Sequence, residues 1–98
     1  MPTPGYIIVE VEVTDPAVYQ EYRAKVGPML ASHNARAIVR GKASAKEGPI
    51  PVGNIIVIEF DSVADAERFY SSPAYAEIKP LRERAANSRL LIVEGAPR

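Results

Sequence analysis

The order of the apolar segments constrains the fold of this sequence more than any other feature. Four short runs are rich in Val, Ile and Leu, and two longer stretches between them show the three- and four-residue spacing of helices. Alternation in the first run places four aliphatic residues on one face: Ile7, Val9, Val11 and Val13. We predict strands at residues 6–13, 36–42, 54–60 and 89–95.

Capping residues mark where the helices begin. Asp15-Pro16 combines a capping side chain with proline at the first helical position, and it predicts a helix to about residue 32. Pro28 should bend that helix, because proline removes one of its hydrogen bonds. Asp61-Ser62 starts the second helical region, and Ser72-Pro73 caps it again. We expect this region to reach about residue 87 and to be broken or bent at Lys79-Pro80.

The element order β-α-β-β-α-β in 98 residues predicts a ferredoxin-like α+β fold. Right-handed crossovers would place both helices on one face of a four-stranded antiparallel sheet, with the first and third strands in the centre. A second domain would leave each half near the ~40-residue floor for independent folding. Residues 1–98 are therefore expected to form one domain.

Several of the predicted strands are apolar on both faces, although the helices can cover only one. The third strand is almost continuously aliphatic from Ile55 to Phe60, and the last one contains Leu90-Leu91-Ile92-Val93. An uncovered apolar face of that size favours association. The expected cover is the same face of a second copy, which gives a homodimer joined through its sheets as a dimeric α/β barrel.

Composition excludes several function classes. Twelve Lys and Arg balance twelve Asp and Glu, so no net charge attracts nucleic acid or anionic membranes. With one histidine and no cysteine, the chain has few of the side chains that bind transition metals, and it contains no familiar cofactor motif. The first residues lack the basic start and the apolar stretch of a secretory signal, and no apolar run approaches the ~18 residues of a membrane span. We expect a cytoplasmic protein without metal, cofactor, nucleic-acid partner or membrane contact.

Motifs along nearly the whole chain resemble a known family. They are Gly5-Tyr6 to Val13, Asp15-Pro16 with Tyr19 and Tyr22, Val39-Arg40-Gly41, Ile58-Glu59-Phe60, Phe69 to Tyr75, Lys79-Pro80-Leu81-Arg82 and Val93-Glu94-Gly95. Together they look like the domain-of-unknown-function family thirteen-thirty. The resemblance implies membership of the dimeric α/β-barrel superfamily, whose members include cofactor-free oxygenases, haem-degrading enzymes, small isomerases and binding proteins.

The resemblance assigns no activity, because the activity of the family is itself unassigned and fold alone does not determine function. The chain also departs from its relatives in one loop. Those proteins often place an aromatic residue shortly after a Glu-Gly pair, whereas Glu47-Gly48 is followed here by Pro49-Ile50-Pro51. The resemblance therefore does not support an aromatic lid from this loop.

Three polar residues are candidates for chemistry because of where they lie. Arg40 and Glu59 fall inside apolar strands, where a charge must be paired or face a cavity. In a pocket, Arg40 would hold a carboxylate or enolate and Glu59 would move a proton. The alternative is a structural ion pair, with Glu10 or Glu12 as a partner, that joins the two sheets of the dimer. His33, at the end of the first helix, is either a general base or a cap.

Four tyrosines occupy inward helical positions and are candidates to line a cavity between helices and sheet: Tyr19, Tyr22, Tyr70 and Tyr75. A phenol-tipped aromatic wall with Arg82 nearby suits a small aromatic or keto acid, whereas the plainer interpretation is core packing. Lys79, Arg82 and Arg84 together also fit a solvated helix face. The predicted ligand-binding residues are Arg40, Tyr70, Tyr75, Arg82 and Tyr22.

Three functions remain open at this point. The first is a small homodimer that binds a small organic acid or aromatic metabolite, with or without cofactor-independent catalysis by His33 or Glu59. The second is a structural or accessory dimer without a ligand, which would lack a cavity of about 300 Å³ or more. The third is a quinone-type monooxygenase, although the chain has no tryptophan, which such relatives commonly employ.

Overall fold

The computed structural model of the protein describes residues 3–97, so residues 1, 2 and 98 of the predicted domain lie outside the described part. Residues 3–97 form four strands and three helices. They are β1 (Gly5–Val13), α1 (Pro16–Ser32), β2 (Arg36–Lys42), β3 (Asn54–Phe60), α2 (Val63–Tyr70), α3 (Pro73–Ala85) and β4 (Ala86–Glu94). The strands pair antiparallel in the order β2-β3-β1-β4, which confirms the ferredoxin-like fold with β1 and β3 in the centre.

The predicted caps start the helices. The Asp15 side chain accepts from the amide of Val18 over 3.3 Å, and α1 then continues through Pro28 as one helix. The Ser62 hydroxyl accepts from the amide of Asp65 over 3.1 Å, and Ser72 caps α3 in the same way. Each cap satisfies an amide that the first turn of a helix leaves without a partner.

Two boundaries in the second half of the chain differ from the prediction. The helix α3 continues through Pro80 as one helix, so of the two outcomes expected at Lys79-Pro80, a break or a bend, the break is wrong. Strand β4 begins at Ala86 rather than Arg89, because residues 86–88 pair with the end of β1. The carbonyl of Ala85 accepts from the amides of Thr14 and Asp15 over 2.7 and 3.0 Å, which joins the end of α3 to the turn after β1.

All three helices lie on one face of the sheet, and the core lies between them and that face. Its buried members come from both layers: Ile7, Val9, Val11, Tyr22, Phe60, Ala66, Phe69, Tyr75, Ile78, Leu81 and Ala86. Ile7, Val9 and Val11 of the predicted apolar face of β1 are therefore covered by the helices, whereas Val13, at the end of the strand, is 37% exposed. No helix in residues 3–97 has the length and apolar character that crossing a bilayer requires.

The opposite face of the sheet is open and largely apolar. Ile8 on β1 lies between Val57 of β3 and Leu91 of β4, and Val39 of the edge strand lies beyond Val57. Leu91 is 48% exposed. Ion pairs between Arg89 and Glu10 and between Arg36 and Glu59 lie on the same face.

A β-bulge in the edge strand decides which residues of β2 face the helices. Arg36 pairs with Glu59 and Ala37 with Ile58, but the pairing then shifts, so that Arg40 lies opposite Ile56. The extra residue is Ile38. Because side chains alternate along a strand, one inserted residue exchanges the two faces for everything that follows. Arg36 therefore lies on the open face and Arg40 on the helix-covered face.

Gly53 is expected to tolerate no side chain. Its φ of +80° is left-handed, and a Cβ would overlap the carbonyl oxygen of Val11. Gly48 has a similar φ of +76° but nothing within 4 Å of a Cβ, so it is the matched control. We expect Gly48→Ala to cost about 1 kcal/mol of unfolding free energy in urea titrations, and Gly53→Ala about 1–3 kcal/mol more. Equal losses in the two variants would contradict the close approach of Gly53 to β1.

Candidate functional site

A cavity of about 230 Å³ lies between the helices and the helix-covered face of the sheet. It is smaller than the volume of about 300 Å³ expected for a ligand pocket, so it can hold only a compact ligand, and its volume alone does not exclude a structural dimer. Its apolar side consists of aliphatic residues of three strands: Ile7, Val9, Ile56, Ile58 and Leu90. Its polar side chains are three tyrosines and three arginines from α1, α3 and β2: Tyr19, Tyr22, Tyr75, Arg23, Arg40 and Arg82. The cavity is thus apolar along β1, β3 and β4, and its phenols and guanidinium groups lie on α1, α3 and the edge strand β2.

Arg82 brings a buried positive charge to this cavity. It is the one charged residue in positions 3–97 that is buried, with 6% of its surface exposed. Its Nε donates to the hydroxyl of Tyr75 over 3.3 Å, and its Nη1 donates to the hydroxyl of Ser88. No carboxylate of the described residues lies within 4.0 Å of it. The guanidinium is therefore solvated by hydroxyls but not neutralised.

The second terminal nitrogen of Arg82, Nη2, makes none of the hydrogen bonds of this side chain. Nη2 has no hydrogen-bond partner in residues 3–97. Every fully buried polar side-chain atom in that part of the chain does have a partner. Nη2 must therefore be reachable by solvent, and Arg82 lines the cavity. Burial alone would lower the pKa of Arg82, but the phenols of Tyr75 and Tyr22 raise it, and the net shift is upward. The group stays charged.

Tyr22 and Tyr75 extend the polar wall from Arg82 to α1. Their hydroxyls lie 2.9 Å apart, and their rings meet edge to face at 6.4 Å. Burial, together with the neighbouring Tyr75 hydroxyl, raises the pKa of Tyr22 far above its ordinary value. Both hydroxyls join one hydrogen-bonded chain with Arg82, and Tyr22 stays protonated. This wall offers hydrogen-bond donors and a cation, which suits an anionic ligand.

Arg23 and Arg40 form the rim of the cavity. Both line it and both are exposed, Arg23 on α1 and Arg40 on β2. Tyr19 lies half-buried beside them, and burial raises its pKa, although Arg23, Arg40 and Arg82 all act in the opposite direction. Three guanidinium groups therefore exert their fields on this one phenol.

Three predicted site residues lie outside the cavity lining: Tyr70, His33 and Glu59. The Tyr70 ring packs behind Tyr75 at 5.5 Å, and the Nζ of Lys79 lies 5.0 Å from the Tyr70 ring centre. His33 ends α1, with its ring edge-to-face with Phe69 at 5.5 Å. Tyr70 therefore supports the wall of the cavity from behind, and His33 is placed as a helix cap.

Glu59 lies on the open face of the sheet, on the opposite side from Arg40. It accepts two hydrogen bonds from Arg36, the shorter one 2.7 Å long, and one of 3.3 Å from the hydroxyl of Tyr6. The hypothesis that Arg40 and Glu59 share one pocket of the chain is wrong, because the bulge in β2 separates their faces. Glu10, which was an expected partner in a structural ion pair, binds Arg89 instead.

A second, wider depression of about 630 Å³ lies at the end of α1, between Asn34, Arg36, Glu59 and Asp61. Its polar groups bind one another: Asn34 donates to Asp61 over 2.9 Å, and Arg36 pairs with Glu59. No metal-binding group of three His, Asp or Glu residues occurs in positions 3–97. The cavity at Arg82 is the better candidate because its charges are not already paired.

The cavity brings together four of the five predicted ligand-binding residues: Tyr22, Arg40, Tyr75 and Arg82. Arg23 also lines the cavity, but it was not among the site residues predicted from the sequence. A signal existed, since Arg23 lies four residues after Tyr19 on α1, and residues at that spacing are neighbours on a helix surface.

Comparison with known proteins agrees with the fold. The family model described as Domain of unknown function (DUF1330) matches residues 4–96. No curated protein matches the chain in sequence. The solved structure of RPA0582, a protein of unknown function from Rhodopseudomonas palustris, superposes with a TM-score of 0.77 at 19% identity. That match covers 100% of this chain and 86% of the other.

Two further solved structures share the fold at lower identity. SnoaB, a cofactor-independent oxygenase from Streptomyces nogalater, gives a TM-score of 0.64 at 9% identity and covers 100% of this chain and 97% of its own. A dimeric protein of unknown function and ferredoxin-like fold from Bacteroides fragilis gives 0.58 at 13% identity, with 94% and 95% covered. At these identities the likeness is one of fold.

Proposed function

The chain belongs to the family described as Domain of unknown function (DUF1330), and we propose that it is a homodimer that binds a small organic acid in the cavity at Arg82. The observation that carries the proposal is a buried guanidinium with no carboxylate beside it. An unpaired charge inside a protein costs several kcal/mol. A bound anion would offset that cost, whereas the cost would stay uncompensated if the arginine had only a structural role.

The remaining lining supports an organic body rather than an inorganic ion. Aliphatic side chains of β1, β3 and β4 form one whole side of the cavity. Ligand pockets typically combine such a surface with a few polar groups that fix the orientation of the ligand. An aromatic or unsaturated carboxylic acid would place its acid group at Arg82 and Tyr75 and its apolar part against the sheet.

Binding is proposed here rather than a particular reaction. None of the residues that line the cavity is Asp, Glu or His, so the lining offers no ordinary general base. Tyr22 remains protonated because burial raises its pKa. The groups present can hold an acid and stabilise negative charge on it.

The homodimer is proposed from the open face of the sheet. Its aliphatic residues around Ile8 and Leu91 have no cover from the helices, and an apolar patch of this kind favours association. The Bacteroides fragilis neighbour with the same fold is described as dimeric. Sheets packed face to face through a two-fold axis would bury this surface in both copies.

Thermal unfolding in the presence of organic acids tests the ligand-binding part. Benzoate, other aromatic acids, keto acids and quinones are compared with neutral analogues such as benzamide. A ligand at ~100 times its dissociation constant contributes about 2.7 kcal/mol, which should raise the melting temperature by roughly 10 °C. We expect acids to stabilise the protein and benzamide to have no effect. If no acid of the panel raises the melting temperature, the chain is better described as a structural dimer.

A further inference from the structure

The rim of the cavity carries more positive charge than one acid group requires. Arg23 and Arg40 come from different elements, α1 and β2, and both line the cavity from exposed positions. Neither has a carboxylate within 4.0 Å in residues 3–97. With Arg82, the cavity lining contains three guanidinium groups and no acidic residue.

All three guanidinium groups act electrostatically on one residue of the cavity lining, Tyr19. Its hydroxyl has no hydrogen-bond partner among the described residues, and it feels the positive charge of Arg23, Arg40 and Arg82 together. The chain as a whole has no net charge, so this cluster is a local surplus of positive charge rather than a general basic character. The potential in a cleft lined by one sign of charge attracts ions of the other sign.

A ligand with one acid group would satisfy only part of this cluster. An acid group at the buried Arg82 would leave Arg23 and Arg40 unneutralised at the rim. Resting on the proposed function, we propose that the ligand is a dianion, a compact dicarboxylic acid whose second acid group binds Arg23 and Arg40. The apolar body would then lie along the sheet between the two acid groups.

Calorimetric titration with matched probes tests this inference. Benzoate is compared with the three benzenedicarboxylates, 1,2-, 1,3- and 1,4-, at one ionic strength, because only the position of the second acid group differs. Exposed ion pairs are individually modest, so the added acid group should tighten binding roughly tenfold for the isomer whose geometry fits. That gain should disappear in Arg40→Gln and in Arg23→Gln, so that the fitting diacid binds each rim variant no more tightly than benzoate binds the same variant.

Arg84→Gln is the control, because Arg84 is exposed on α3 and does not line the cavity. This variant should retain the preference for the diacid. If benzoate binds and no diacid binds more tightly, or the gain survives in both rim variants, the dianion inference fails while the proposed function stands. If neither benzoate nor any diacid binds, the inference fails together with the acid-binding function.

Discussion

Leu91→Glu is expected to convert the dimer into a folded monomer. Leu91 lies beside Ile8 in the open face and is 48% exposed in the single chain, so a carboxylate there stays solvated in the monomer. In a two-fold interface the same substitution would bury two carboxylates in an apolar surface, at a cost of several kcal/mol for each. Light scattering after gel filtration should give twice the chain mass for the wild type and the single chain mass for the variant.

Ile50→Glu is the matched control for that experiment. Ile50 is also aliphatic and is 64% exposed, but it lies in the connection between β2 and β3 rather than on the sheet. It should leave the mass of the wild type unchanged, and circular dichroism should show all three proteins folded. A monomeric wild type, or a dimeric Leu91→Glu, would contradict an interface through the open face.

Most of the fold could be predicted because local signals agree with tertiary structure. The alternation in β1 placed Ile7, Val9 and Val11 on one face, and the structure buries that face under the helices. The capping side chains of Asp15 and Ser62 marked helix starts that the structure confirms. These signals are local, so they can be recognised without knowledge of what each element packs against.

The features that were predicted wrongly or not at all depend on contacts between distant segments of the chain. Residues 86–88 are Ala-Asn-Ser, which do not favour a strand, yet they extend β4 because they pair with the end of β1. The face of the sheet on which Arg40 lies depends on a bulge at Ile38, and no residue in β2 predicts that bulge. Pairing across a sheet can overrule both propensity and alternation, and a single sequence does not show it.

The site was predictable where helical spacing carried information. Tyr22 and Tyr75 were placed inward by their spacing, and their hydroxyls meet in the structure. Arg82 was grouped with Lys79 and Arg84 as cations that also fit a solvated helix face, although its position four residues after Ile78 and seven after Tyr75 is a signal for the inner side of α3. Glu59 was singled out as a charge in an apolar strand and His33 as a residue at a helix end, and neither observation shows which face or partner the residue has.

Arg82→Met is expected to abolish the stabilisation by organic acids without unfolding the protein. Methionine fills a similar volume, and replacing a buried charge by an apolar side chain is often neutral or stabilising. Tyr75 would keep its hydrogen bond with Tyr22, and Ser88 is exposed enough to bind water. The melting temperature without ligand should stay within a few degrees of the wild type or rise, and a rise of roughly 10 °C with a saturating acid should fall to nearly zero.

Two further variants separate loss of binding from loss of structure. Arg82→Lys keeps the charge but lacks the planar donor fork, so it should bind the same acid more weakly than the wild type. Arg84→Met removes an exposed cation from α3 and should leave the response to acid intact. If Arg82→Met melts far below the wild type, Arg82 is mainly a structural group that holds α3 to β4 through Ser88. If Arg82→Met folds and still responds fully to acid, the ligand does not bind at Arg82.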